Sequence, residues 1–285
     1  MENLQFYYPE GFSQDNVYHF FIEHILPLFH YLHSNDLLFK ELHVSLYFIK
    51  MVETMDLKRF WSDLLAFMFP MIKFTELTSI PNEKDYSGII PLHQLYNCYT
   101  FFEKIEKEHF ELIRSCVSSL NSYISTLLKK FTTFKKVRII VVARNKIPFK
   151  KRKLGGKRRE KWRYLENIDD IVEKLKEIYG KHEVRKVFLA DISFAERCFL
   201  FQNAELLIGM SGAGLMSGIF MPNGSGLIEI HHDDWVVYSE QSKLKKMKHV
   251  DLIGELKENE TGCYFYPTKE IVEFAKKLVP DFFPK

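Results

Sequence analysis

The sequence predicts an α/β protein made of two Rossmann-like halves. Short apolar runs of strand length, such as Val137–Ala143 and Gly226–Ile230, alternate with stretches of helical periodicity. From Asn203 to His232 a strand, a turn of small residues, a helix and a second strand follow one another, a βαβ unit that favours a parallel sheet. The polar segment Lys129–Lys136 separates this half from an N-terminal half with the same alternation. The domains expected are 1–134, 135–268, and a C-terminal helix and tail over 269–285.

A chain of 285 residues can hold two modest domains. Hydrophobic residues at 46% and charged residues at 27% are ordinary for a globular protein, and 26 Phe point to a core rich in aromatic packing. A net charge of +3 implies no particular partner. The four cysteines form no Cys-x-x-Cys pair, which argues against a zinc site and a disulfide framework. The first residues lack a basic start and an apolar run. The most apolar window, Val17–Leu32, carries His19, Glu23, His24 and His30, so no membrane span is expected and a cytoplasmic location is. Asn223-Gly224-Ser225 and Asn259-Glu260-Thr261 match the glycosylation pattern, which has no consequence without a secretory route.

In the N-terminal half, Asp15 or Asn16 can cap a helix that begins at Val17 and is kinked or ended by Pro27. Asn16, His19 and Glu23 share one face of it. Alone, this pattern also fits a solvated stripe opposite a Phe/Ile/Leu core stripe. Leu42–Ile49, Ile72–Leu77 and Ser87–Pro91 read as strands, Leu57–Phe69 and Tyr99–Phe131 as helical.

In the C-terminal half, the Val137–Ala143 strand runs directly into Arg144, whose planar fork suits two oxygens of a diphosphate. Lys146–Arg163 is almost wholly cationic. Such a run is usually a solvated loop; with Phe149, Trp162 and Tyr164 interleaved, it also allows base stacking on nucleic acid or contact with phosphates. Asn167 looks like a helix N-cap, with Asp169 and Asp170 in the first turn and Gly180 past the end. Val184–Leu189 is a strand, and Ser193-Phe194-Ala195-Glu196 a capping box.

The 203–232 stretch carries the chemistry. Gly209 ends the strand Leu206–Ile208, Ser211-Gly212-Ala213-Gly214 makes the turn, and Leu215–Met221 is a helix stopped by Pro222. Glycines allow a ligand to approach the backbone, and free N–H groups at a helix start attract phosphate. A tight turn that binds nothing is an equal reading of the same residues. Glu229 falls where a carboxylate can accept hydrogen bonds from a ribose, by analogy with dinucleotide sites. His231, His232, Asp233 and Asp234 look like a metal cluster, but neighbours on a strand end point to opposite sides and no metal site is assigned.

The wording of this stretch resembles the motif of family 61 glycosyltransferases. Ala204, Leu207, Ile208, Gly209, Gly212, Ala213, Gly214, Leu215, Phe220, Met221, Pro222, Gly224, Ser225, Ile228, Glu229 and Ile230 stand in its expected places. Ser211, Met216 and Ser217 replace the family's His, Thr and Asn. Asn16, His19, Glu23, Pro27 and Leu28 fit a weaker N-terminal pattern, and Arg163 and Asn167 the family's R-x-[IL]-x-N. Arg144 matches a family arginine; Arg197 replaces a Gln.

The resemblance implies two Rossmann-like domains facing a cleft, the GT-B arrangement. It implies transfer of a sugar from a UDP-sugar, commonly UDP-GlcNAc or UDP-xylose, to a hydroxyl acceptor on a glycan or protein. Inversion is implied, with no obligatory metal or cofactor. Glu23, with His19 second, would deprotonate the acceptor. Arg144, Arg163, Asn167, Ser211, Gly212, Ala213, Gly214 and Glu229 would bind the donor. Family members work in the secretory pathway, so the lack of a leader is a departure. Two rivals remain: a degenerate relative that binds a nucleotide sugar or a partner without turnover, and a nucleic-acid-binding protein acting through 146–163.

Overall fold

The computed structural model describes residues 2–8, 21, 25–48, 55–77, 89–91, 107–131, 133–144, 164–231, 238–256 and 263–279. By its internal contacts the chain divides into two compact units, Met1–Lys130 and Phe131–Lys285. Both are α/β. No helix among the described residues is long and apolar enough to cross a membrane.

Unit 1 contains β1 (Glu2–Tyr8), α1 (Leu26–Ser34), β2 (Leu42–Phe48), α2 (Met55–Met68), β3 (Ile72–Leu77), β4 (Ile89–Pro91) and α3 (Lys107–Leu128). Its described strands form a parallel sheet in the order β3-β2-β1-β4. Pro27 lies in the first turn of α1; of the helix expected to begin at Val17, residues 17–20 and 22–24 lie outside the described residues. In α3 the apolar positions Ile113, Val117, Leu120 and Ile124 recur every three or four residues, and all are buried. Tyr123, on the same helix, donates to the carbonyl of Met68 at 2.7 Å, and burial pushes its phenol up to about 12.

The sequence reading did not anticipate β1. Its residues, Glu-Asn-Leu-Gln-Phe-Tyr-Tyr, show no long apolar run, yet it lies inside the sheet, with Phe6 opposite both Leu46 and Ile90. Pairing on both sides makes it a strand, and that information lies in its neighbours.

Unit 2 contains β5 (Ile139–Ala143), β6 (Tyr164–Leu165), α4 (Ile168–Tyr179), β7 (Val184–Phe188), α5 (Phe194–Gln202), β8 (Leu206–Met210), a 3₁₀ helix (Ala213–Phe220), β9 (Gly226–His231), α6 (Ser239–Leu244), β10 (Lys248–Ile253), β11 (Glu255–Leu256), β12 (Cys263–Phe265) and α7 (Thr268–Leu278). Five of its strands form a parallel sheet ordered β10-β9-β8-β5-β7. The chain goes outward from β5 to β7, then returns to build β8, β9 and β10 on the other side. The direction of winding therefore reverses between β5 and β8, the switch point where doubly wound sheets open a crevice.

Alternation along the strands separates the two faces. Val141, Ile208 and Ile228 pack with Ile171 and Leu175 of α4 and Ile271 and Ala275 of α7 in one apolar core. Val142, Gly209 and Glu229 stand in register on the opposite side, where Leu215 of the 3₁₀ helix packs over Gly209. Phe194 of α5 meets Phe220 edge-on at 5.8 Å between centroids.

Two sequence expectations need correcting here. Gly209 does not end its strand: β8 runs on through Met210, and the N–H of Ser211 still donates to Ile230. The close approach of Leu215, at 3.1 Å from where a Cβ would stand, accounts for the glycine. The segment after the turn is a 3₁₀ helix that begins at Ala213, not a helix over Leu215–Met221, and Leu215 N–H bonds back to Gly212. The capping box is realised in part. Ser193 Oγ accepts from the N–H of Glu196, while the Glu196 carboxylate turns to Arg185 at 2.8 Å. Cys116, Cys198 and Cys263 are buried thiols outside any disulfide.

Candidate functional site

The carboxyl ends of β5 and β8 meet at the switch point. Arg144 follows β5 directly, and its guanidinium NH2 donates to the carbonyl of Ser211 at 3.4 Å, a long bond. Arg144 is half-buried. The apolar run before it, Ile139–Ala143, is buried throughout, which fixes where the arginine emerges.

The turn after β8 owes its shape to Gly212, whose φ of 148° lies in a region that side-chain-bearing residues rarely occupy. The first N–H groups of the following 3₁₀ helix have no intrahelical acceptor and point from its start. Gly214 serves a different need. A Cβ there would stand 3.0 Å from Leu189 and 3.3 Å from Val142, so its smallness lets the helix lie close on the sheet. Ser211, Met216 and Ser217 are all buried. Ser217 Oγ makes no hydrogen bond among the described residues.

Glu229 is 0% exposed. Its Oε2 lies 3.1 Å from Nε2 of His249 and 3.6 Å from Nε2 of His231. The other oxygen, Oε1, makes no hydrogen bond among the described residues. The structure thus surrounds with two imidazoles the carboxylate that the sequence assigned to a ribose. His249 went unnoticed in the sequence, where it stands in a strand that also holds Lys248 and Asp251. The register of β10 on β9, with His249 beside Leu227, brings it within reach of Glu229. Among the described residues no group of three His, Cys, Asp or Glu is placed to hold a metal ion.

Asn167 occupies the N-cap position of α4, but its side chain makes no cap bond. It reaches across to the start of α7, donating to the carbonyl of Tyr266 at 2.7 Å and to Thr268 Oγ1 at 3.1 Å. It is buried, and it ties the ends of two helices together. Replacing it by alanine would leave the Tyr266 carbonyl without this donor, a cost of about 1–2 kcal/mol. Asn167→Ala is therefore expected to melt a few degrees below the wild type. Nucleotide affinity measured below that melting point shows whether Asn167 also meets a ligand, in which case it falls too.

The remaining assigned residues, His19, Glu23 and Arg163, lie outside the described residues, as do the rest of the basic run over 146–162, and His232, Asp233 and Asp234. Of the donor residues, the structure brings together Arg144 and the 211–214 turn. It holds Glu229 in the sheet interior and sets Asn167 at the junction of α4 and α7.

A doubly wound parallel sheet with a cation and a glycine turn at its switch point is compatible with a glycosyltransferase fold, and comparison with known proteins gives the family. Residues 17–228 match the family described as Glycosyltransferase 61, and the chain belongs to that family. Over 93 residues it is 30% identical to the EGF domain-specific O-linked N-acetylglucosamine transferase of Drosophila melanogaster. That match covers 32% of this chain and 18% of the relative, so the chain aligns with less than a fifth of that protein's length.

Proposed function

We propose that this glycosyltransferase moves a sugar from a UDP-sugar to a hydroxyl acceptor by a metal-independent inverting reaction. The observation that carries this reading is Arg144 standing against the 211–214 turn at the carboxyl edge of the parallel sheet. A guanidinium and a set of backbone N–H groups together suit a diphosphate, and their charge complements the diphosphate as it leaves. Arg163 joins them in this reading. Glu23, or His19, takes the proton from the acceptor hydroxyl as that oxygen attacks the anomeric carbon and the diphosphate departs from the opposite face. The named relative supports N-acetylglucosamine as the first sugar to test, with xylose second. In this reading the units Met1–Lys130 and Phe131–Lys285 contain the two Rossmann-like domains of a GT-B enzyme expected over 1–134, on the acceptor side, and 135–268, on the donor side.

Thermal unfolding against a panel of nucleotide sugars and free nucleotides tests the proposal, because a ligand of the native state raises the melting temperature. A rise with one UDP-sugar, and release of UDP when an acceptor is added, is the expected result. A folded sample that responds to no nucleotide overturns it.

Glu229 has two roles to separate. As a ribose partner through Oε1, it makes the wild type prefer UDP over 2′-deoxy-UDP or 3′-deoxy-UDP, and Glu229→Gln reduces that preference. As an internal partner of His249 and His231, it makes Glu229→Gln lower the melting temperature while the preference stays. A competition titration with the deoxy analogues decides between them.

A second reading, nucleotide-sugar binding without turnover, draws on the buried Ser211, Met216 and Ser217, where the family has His, Thr and Asn. It predicts the same thermal shift and no UDP release with any acceptor.

A further inference from the structure

The glycine turn does not hold itself. Gly212 has no Cβ, and a peptide flanked by glycine rotates at low cost. A site that must present its N–H groups in one direction needs that rotation stopped from outside.

The stop comes from α6 and the residue before it. Tyr238 is 1% exposed, and its hydroxyl donates to the carbonyl of Gly212 at 2.6 Å. Gln241, one turn further on and also 1% exposed, donates Nε2 to the carbonyl of Leu215 at 3.0 Å. In a trans peptide the carbonyl of one residue and the N–H of the next point in opposite directions. A Gly212 carbonyl held against Tyr238 therefore turns the Ala213 N–H away from Tyr238. The Gly212 carbonyl also accepts from the N–H of Leu215, so two donors fix the same peptide plane. Gly218 makes room for the second brace: a Cβ there would stand 2.7 Å from Gln241 Nε2. The brace thus has matching parts on both sides, a glycine in the 3₁₀ helix and a buried amide in α6.

We propose that Tyr238 and Gln241 are positioning residues for the donor diphosphate: they lock the carbonyls of Gly212 and Leu215 so that the N–H groups of Ala213 and Gly214 stay aimed at the phosphates. This rests on the reading of the 211–214 turn as the diphosphate site. Neither residue touches the ligand. Both act through the backbone, by removing freedom that the turn would otherwise lose on binding.

Tyr238→Phe keeps the ring and removes the donor; Gln241→Met keeps the length and removes the amide. UDP and uridine are titrated against the wild type and each variant by ligand-observed NMR, which reads millimolar binding. The expected result is a loss of about tenfold in UDP affinity, the size of one hydrogen bond's contribution, with uridine affinity unchanged. Some loss of melting temperature is expected of any buried donor and decides nothing. Equal losses for UDP and uridine would show a merely structural role and overturn the proposal, as would variants that bind UDP like the wild type. If the wild type itself binds uridine and UDP equally, or neither, the diphosphate reading fails first and the brace falls with it.

Discussion

Arg144→Ala is expected to weaken UDP binding by about 10- to 100-fold, the range for losing a hydrogen bond to a charged group. Uridine binding should be unchanged. The asymmetry follows from position: Arg144 leaves β5 where that strand borders β8, and it donates to a backbone carbonyl of the turn at 3.4 Å. Charge dominates here, and added salt should erode the wild type's preference for UDP more than it erodes uridine binding. Lysine restores the charge without the fork. Arg144→Lys is therefore expected between the wild type and alanine. A titration in which UDP and uridine weaken together would place the guanidinium elsewhere than at the phosphates.

Lys245→Met is expected to stabilise the protein by about 3 kcal/mol near neutral pH, from the conversion of pKa shift to free energy. Lys245 is buried at the end of α6, 4% exposed. Desolvation lowers its pKa from 10.5 to about 8. The unfolded chain then binds more protons than the folded one between pH 8 and 10.5, so this residue's contribution to stability rises with pH across that window. Below pH 8 both states hold the proton and the full penalty applies. Methionine has a similar length and no charge, and it removes the penalty at every pH. The gap in stability between variant and wild type should therefore be widest at pH 7 and close as pH approaches 10.5. Taking the difference matters, because other groups titrate there as well. Burial raises the thiol of Cys198 and takes Tyr123 to about 12, and both of these make stability fall at high pH. Chemical denaturation of the two proteins from pH 7 to 10 tests this; a constant gap would mean that Lys245 is not the group responsible.

Much of the C-terminal fold was legible because its strands are apolar on both faces. Ile139–Ala143, Leu206–Met210 and Gly226–His231 are buried at every position, and such runs announce themselves without any partner. The helices α4 and α7 were equally plain, since their apolar stripes face one core. The family motif was legible too, because it is a local string of residues whose spacing survives in the chain. Arg144 and the turn were each assigned to the donor from such local matches.

What the tertiary structure decided is what depends on register and on partners distant in sequence. The end of β1 pairs with residues some forty and eighty positions away, and its own composition says little. Asn167 reads as a cap because caps are local, yet its amide is spent on Tyr266, which only the parallel pairing of β12 with β6 brings near. Glu229 reads as a ribose partner by analogy with the carboxylate near a strand end in dinucleotide sites. The alignment of β10 beside β9 brings the His249 imidazole to it, beside that of His231 on its own strand. Tyr238 and Gln241 carry no motif at all. A hydrogen bond to a carbonyl more than 20 residues away leaves no trace in local periodicity, because the backbone it holds is the same atom set in every residue.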